Sequence, residues 1–172
     1  MAITTNTPDR LQLGVGDFYW DSNDLGAVAK TASFGVEQEV YWPELGGSKG
    51  RIAGTGWVVG ESATLAVTLH ELTLTNFSYV VPGLVVSSDG TSEYNTVPVL
   101  GLIALTDHKT VKWVGVNAAG KAVEVHLFRA LPEPGISWTV DDNGIWGMEV
   151  TFRSSYLSTA ATTRCWQIYV EE

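Results

Sequence analysis

The sequence is short of most of what catalysis, metal binding or membrane insertion would require. Its 172 residues contain one cysteine, Cys165, so no intramolecular disulfide can form and an extracellular disulfide scaffold is excluded. Cys165 lies in an apolar stretch, where a thiol is a small inert core residue rather than a nucleophile. The three histidines, His70, His108 and His126, are scattered. None stands four residues from another, and with a single cysteine they compose no conventional zinc set. No phosphate-binding loop or dinucleotide fingerprint occurs. No apolar run approaches the ~20 residues that span a bilayer, so no membrane insertion is expected. The first eight residues, Met1-Ala-Ile-Thr-Thr-Asn-Thr-Pro, lack the basic start and apolar centre of a signal peptide, and a cytosolic product is expected.

Charge is also scarce. Charged residues make up 17% of the chain, below the usual quarter, as expected if part of the surface is covered in an assembly. Positive charge is scarcer still: 10 basic residues face 19 acidic ones, for a net charge of −9. Such a surface repels nucleic acid and anionic membrane. Runs of Ala, Glu, Lys and Leu that build helices are missing, whereas Val, Leu, Thr, Trp, Tyr and 18 glycines are plentiful. The expectation is one mainly β domain.

Residues 1–10 read as a flexible polar arm, and residues 11–172 as the single domain. Leu11 to Trp20 can be a strand, with Leu11, Leu13, Val15, Asp17 and Tyr19 on one face. Asp21-Ser-Asn-Asp makes a polar turn. In the next strand Phe34, Val36, Gln38 and Val40 alternate with Glu37, Glu39 and Tyr41, which makes the outer face acidic. A glycine-rich loop from about Trp42 to Gly56 follows, longer than connections usually are, so it is functional or disordered. Its apolar residues favour docking on something. Ala63, Leu65, Val67 and Leu69 then share one strand face, with Thr64, Thr68 and His70 on the other. Leu74, Phe77 and Val81 recur at spacings of three and four. They suit a short docked helix capped by Thr73, or else a continued strand, and Pro82-Gly83 ends either one.

Residues 85–96 form a second loop with a turn at Asp89-Gly90. Val97–Leu105 and Thr110–Val116 read as strands. Ala118-Ala-Gly-Lys turns into Ala122–Ala130, where Val123, Val125 and Leu127 alternate with Glu124, His126 and Phe128. Asp142-Asn143-Gly144 is a hairpin signal leading into Met148, Val150 and Phe152, and Cys165–Val170 is the last strand. About eight strands with turns between them suggest a sandwich or barrel. The segments beginning at Ala63 and at Gly147 faintly echo each other.

Chemical motifs fail on context. Gly46-Gly-Ser48-Lys-Gly50 fits a nucleophile-elbow pattern, but Arg51-Ile-Ala-Gly does not start the helix that an elbow needs. Asp21-Ser-Asn23-Asp-Leu-Gly26 lacks the third ligand of a calcium loop and has Ala32 at its twelfth position. Glu37 and Glu39 lie about 7 Å apart on one strand face; a glycosidase pair would also need an environment that sets its two carboxyls apart, and charged neighbours on a solvated face explain them more simply. No catalytic residue, metal or cofactor is expected, and the chain is read as a non-enzyme. Seven tryptophans leave open a carbohydrate-binding sandwich that stacks sugars on exposed indoles, although core and interface packing explains them more simply.

The order of several segments carries a resemblance over nearly the whole chain. They are Gly14-Val-Gly-Asp-Phe-Tyr-Trp, Leu25-Gly-Ala-Val, Phe34-Gly-Val-Glu-Gln-Glu-Val, the long loop, and Glu61-Ser-Ala-Thr-Leu-Ala-Val-Thr-Leu-His-Glu-Leu-Thr. Tyr79-Val-Val-Pro-Gly-Leu, Ala119-Gly-Lys-Ala-Val-Glu-Val-His-Leu-Phe-Arg-Ala and Met148-Glu-Val-Thr-Phe-Arg follow. In this order the chain resembles the tail tube (major tail) proteins of long-tailed bacteriophages. The resemblance implies a β-sandwich or partial barrel with one short flanking helix. Six copies would form a ring whose inner sheets join into one β-barrel, and rings would stack into the tube through which genomic DNA leaves the virion.

Further copies of the chain, the tape measure, the tail terminator and baseplate or tip proteins are the implied partners. DNA would pass without specific binding. The implied location is the virion tail, assembled in the cytoplasm of a bacterial host. The family's long loop touches the adjacent ring, which maps here to Tyr41, Trp42, Pro43, Leu45, Lys49, Arg51 and Ile52. Lumen-facing acids would be drawn from Glu37, Glu39, Glu124 and Glu149. The tube protein of type VI secretion is the structural alternative.

Overall fold

The computed structural model describes residues 16–27, 32–44, 46–47, 50–70, 73–96, 101–116, 120–133, 137–140, 146–156 and 164–171, with the side chains of Ala27 and Trp146 left aside. The N-terminal arm, Leu11, Leu13, Val15, Leu45, Ser48, Lys49, Val97–Leu100, Ala118, Ala119 and the Asp142-Asn143-Gly144 signal lie outside the described residues. Among the described residues there are eleven strands and one α-helix, so the protein is mainly β, with every pairing antiparallel.

Strands β1 (Gly16–Trp20) and β2 (Asn23–Ala27) form a hairpin. Its turn is tighter than the four polar residues suggest. Only Asp21 and Ser22 lie between the strands, and Asp21 takes a left-handed φ of 59°, which Asp tolerates better than most residues. Asn23 and Asp24 already belong to β2, and their side chains bond the Trp20 carbonyl and the Gly26 amide. The buried face of β1 is Phe18 and Trp20, while Asp17 and Tyr19 point the other way.

The second hairpin is larger. β3 (Ser33–Tyr41) pairs along its whole length with β4 (Trp57–Leu69), which starts six residues before the alternating segment at Ala63. The helix α1 (Leu74–Val80) follows, and its first turn is capped by the Thr73 hydroxyl accepting from the Asn76 amide at 3.0 Å. Seven residues do not hold a helix alone. Burial of Val80, with Phe77, Tyr79 and Val81 against the core, supplies the rest.

Residues 85–96 are not a loop but a hairpin, β5 (Val85–Ser88) with β6 (Glu93–Thr96). Asp89 Oδ1 accepts from the Thr91 and Ser92 amides at 2.9 and 2.7 Å, and Gly90 takes φ +87°. The polar composition hides strands whose pairing this turn organises. The strand expected at Val97–Leu105 fails in its described part. Gly101–Ala104 is irregular, Leu105–Asp107 is a 3₁₀ turn, and Leu102 is 99% exposed. A short apolar run without alternation is ambiguous, and among the described residues no strand pairs with it.

β7 (Lys109–Val116), β8 (Ala122–Pro132), β9 (Ser137–Val140), β10 (Trp146–Arg153) and β11 (Trp166–Val170) complete the chain. β9 and β10 pair antiparallel on either side of the Asp142-Asn143-Gly144 segment. The ladders run β2-β1-β7-β8 and then β8-β10-β4-β3, with β11 also on β8 and β9 also on β10. β8 joins the two groups. Ala122–Leu127 and Ala130 pair with β7, whereas Leu131 and Pro132 pair with β10. In the register irregularity between Leu127 and Ala130, Arg129 has φ 51°, a conformation that costs an ordinary residue on the order of 1–2 kcal/mol. Its guanidinium compensates by donating to the Ser155 carbonyl (3.1 Å) and the Arg164 carbonyl (2.9 Å).

The two groups share one core. Phe18 and Trp20 of β1 meet Phe152 of β10 at centroid distances of 5.2 and 5.5 Å. Leu65, Val67, Leu69, Val123, Val125, Leu127, Met148 and Val150 fill the space around them. The alternations at Ala63–Leu69 and Val123–Leu127 are therefore the inward faces. The register pair Gly16 and Gly115 makes the slot in which the Trp113 indole lies. A Cβ on Gly115 would stand 2.3 Å from Trp113 Cη2, and one on Gly16 2.7 Å from Cε2.

Candidate assembly surface

The candidate site is the outer end of the β3–β4 hairpin. Its base is anchored. Phe34 packs on Trp166 at 5.6 Å, and Trp166 Nε1 donates to Glu61. Beyond that indole the ladder continues, and β3 from Gly35 to Tyr41 is exposed throughout. Trp57, Val58 and Val59 are 63%, 57% and 57% exposed, and Tyr41 is 52% exposed. A bulge between Glu39 and Val40 leaves Val59 as the extra residue of β4 and bends the arm. β3 also ends the strand order, so among the described residues its outer edge carries no partner strand. Long exposed edges are hazards unless paired, covered or blunted by charge.

The loop at the tip is partly ordered by its own aromatics. Tyr41 stacks on Trp57 at 6.2 Å, and the Arg51 guanidinium lies 5.4 Å from the Trp42 ring. Gly56 permits this, since a Cβ there would stand 3.0 Å from three atoms of the Trp42 ring. Tyr41, Trp42, Pro43, Glu44 and Arg51 line an open hollow of about 920 Å³ with Glu39. Thus Tyr41, Trp42, Pro43 and Arg51 come together. Ile52 is exposed in the loop, its carbonyl accepting from the Thr55 hydroxyl at 2.8 Å. Gly50–Gly56, which follows the nucleophile-like pattern, contains no helix.

The four acids do not share a surface. Glu37 and Glu39 on β3 and Glu149 on β10 lie on the outward face of the β3-β4-β10 ladder, opposite Ser62, Gly60 and Thr68 respectively. No large apolar side chain interrupts that face between them, since Thr64, Ala66 and Thr151 fill the intervening positions. One cation does interrupt it. Arg153 bonds Glu133, donates to Ser62 Oγ at 3.1 Å and lies 3.8 Å from Glu37. The Glu133 hydrogen bond, with Glu37 in support, holds the Arg153 guanidinium above its already high pKa. Glu124 stands in the other group of strands, on β8. There its carboxylate meets His126 Nε2 at 2.6 Å, and the His126 ring packs 4.8 Å from Tyr169.

Helix anchoring is shared differently from the expected Leu74, Phe77 and Val81. Phe77 and Val81 do pack on the core, and Phe77 meets Trp138 edge-on at 5.2 Å. Leu74 is only half-buried, whereas Val80 is fully buried. A three-four periodicity picks out a helix face without saying which of Val80 and Val81 lies at its centre.

Sequence reasoning missed Trp57, Val58 and Val59. The available signal was a run of three apolar residues straight after a glycine loop, without the alternation that marks a half-buried strand. Cys165 is buried, and its hydrogen bond with the Tyr156 phenol, more than burial, pushes that group up to about 12 although the ring is 43% exposed. Among the described residues no group of three His, Cys, Asp or Glu side chains could hold a metal ion, and no helix is long and apolar enough to cross a membrane. No protein-family model matches the chain, and no curated protein matches it.

Proposed function

We propose that the protein is a ring subunit of the tail tube of a long-tailed bacteriophage, a structural virion component that forms the channel for genome ejection. The observation that carries this reading is the arm. Two strands, joined by a 15-residue segment, Trp42–Gly56, carry exposed apolar side chains at their outer end and, among the described residues, a strand edge without a partner strand. Side chains that gain nothing from the fold of one chain gain on burial against others, at roughly 25 cal/mol per Å² of apolar surface covered.

In this reading the fold is a β-sandwich, and the β3-β4-β10 ladder joins its neighbours' sheets into the inner barrel of a ring. The outward face of that ladder, small and hydroxyl-rich with Glu37, Glu39 and Glu149, suits a lumen. Phosphates find few cations there to bind. Arg153, already held by Glu133 and Glu37, adds little to that count. Glu124, in the other group of strands, is not needed for it.

Electron microscopy of the concentrated protein tests the proposal. Tubes with a central channel are the expected result, and persistent monomers under assembly conditions overturn it. Stable hexameric rings in dilute solution without tubes would point instead to a type VI secretion-like tube protein. One observation favours a second reading, a carbohydrate-binding sandwich: the exposed, stacked Tyr41 and Trp57 beside an acidic hollow. Quenching of tryptophan fluorescence by polysaccharide, in a protein that stays monomeric, would select it.

A further inference from the structure

A second apolar surface lies elsewhere on the chain and differs from the arm in shape. It is a hollow of about 480 Å³ between the end of α1, the start of β5 and the 3₁₀ turn before β7. Trp20, Leu84, Val85, Leu131, Asp107 and Lys109 are among the residues that line it. Val85 is 51% exposed, and Leu105 beside Asp107 is 62% exposed. The hollow and the tip of the arm have no residue in common. The arm tip presents exposed Trp57 and Ile52 beside a hollow of its own, and each surface is apolar with a cation and at least one acid close by. Arg51 and Glu44 stand at the tip, Asp107 and Lys109 in the hollow.

We infer that the arm tip of one copy, led by Trp57 and Ile52, docks in this hollow of a second copy. Arg51 then faces Asp107, and Glu44 faces Lys109. The inference deepens the tube reading and rests on it, because it names the receiving surface for the loop. The occupant is a second copy because the same chain carries both complementary halves. Docked head to tail, each pair leaves one arm and one hollow free, so the contact can propagate to further copies, whereas a reciprocal exchange of arms would close it as a dimer. Lys109 is available for the pairing: its only ion pair among the described residues is the loose 3.9 Å contact with the exposed Asp21. Opposite charges at the rim set register and reject misaligned docking, while the buried indole supplies affinity.

The test uses two full-length single variants, Ile52→Cys on the arm and Val85→Cys at the hollow, mixed and treated with a short bis-maleimide. Both positions are exposed, and Cys165 is buried. The expected result is a cross-linked dimer in the mixture at least tenfold above either variant alone. Tubes in the micrograph with no such excess would overturn the docking site and leave the tube reading standing. A monomer by sizing at every concentration, with no cross-link, would overturn both. A charge exchange supplies an independent check. Lys109→Glu should weaken self-association about tenfold or more, and mixing it with Glu44→Lys should restore it. Weakening without restoration counts against the pairing of these two residues.

Discussion

β4 is one continuous strand with two different lives. From Ala63 to Leu69 every second side chain is buried, and the strand is a wall of the core. From Trp57 to Val59 every side chain is exposed, although the backbone ladder to β3 runs on unbroken except for one bulge. Backbone pairing and side-chain burial are therefore separable. The ladder satisfies the amides wherever a partner strand runs alongside, but only a second layer of side chains removes apolar surface from water. At the base of the exposed half Trp166 packs on Phe34 and bonds Glu61.

The sharpest way to break this comparison is to truncate at both ends of the shared core and on the arm. Phe152→Ala removes the ring that both Phe18 and Trp20 touch and should cost about 3–5 kcal/mol in denaturant unfolding. Leu65→Ala, on the buried half of β4, should cost about 2–5 kcal/mol. Val59→Ala, on the exposed half of the same strand, should stay within about 0.5 kcal/mol. A Val59 penalty near that of Leu65 would mean that the arm folds back on the core. Gly115→Ala presses a methyl into the Trp113 indole and should cost about 1–3 kcal/mol, with near-ultraviolet circular dichroism reporting the displaced tryptophan.

The smallest effect concerns the β5–β6 hairpin, which has its own ladder, separate from the main sheet. Backbone hydrogen bonds from Ser92 and Thr91 hold the Asp89 carboxyl below the usual aspartate pKa. The folded turn therefore favours the ionised form. Its stabilising contribution is full above the ordinary aspartate range and is lost as pH falls through the lowered value. The Thr91 and Ser92 amide resonances should shift together on acidification, and Asp89→Asn should abolish that titration.

Much of the fold was legible where a local signal and burial agree. The alternations at Ala63–Leu69 and Val123–Leu127, the Thr73 cap and the Pro82-Gly83 stop all name local geometry that the structure adopts. The misses have two causes. β2 and the β5–β6 hairpin are polar strands held by turns, and residues 101–105 are apolar without being a strand. In β2 and the β5–β6 hairpin the partner is the neighbouring strand, but polar turn contacts rather than an apolar alternation organise the pairing, and at residues 101–105 no described strand supplies a partner. The candidate surface divides in the same way. The long loop announced itself by length and glycine, whereas the exposure of Trp57–Val59 depends on where the opposite layer stops.

The sequence by itself determined a mainly β chain with low charge and an acidic balance, and it determined which faces of its clearest strands turn inward. Those properties follow from composition and from the two-residue repeat of a strand, which any short window contains. Tertiary structure alone decided that β8 bends at Arg129 to serve both groups of strands, that Glu124 stands apart from Glu37, Glu39 and Glu149, and that the hairpin outruns the core. Each of these depends on which distant residues meet. That is settled by packing a whole layer at once, so no local pattern can carry it.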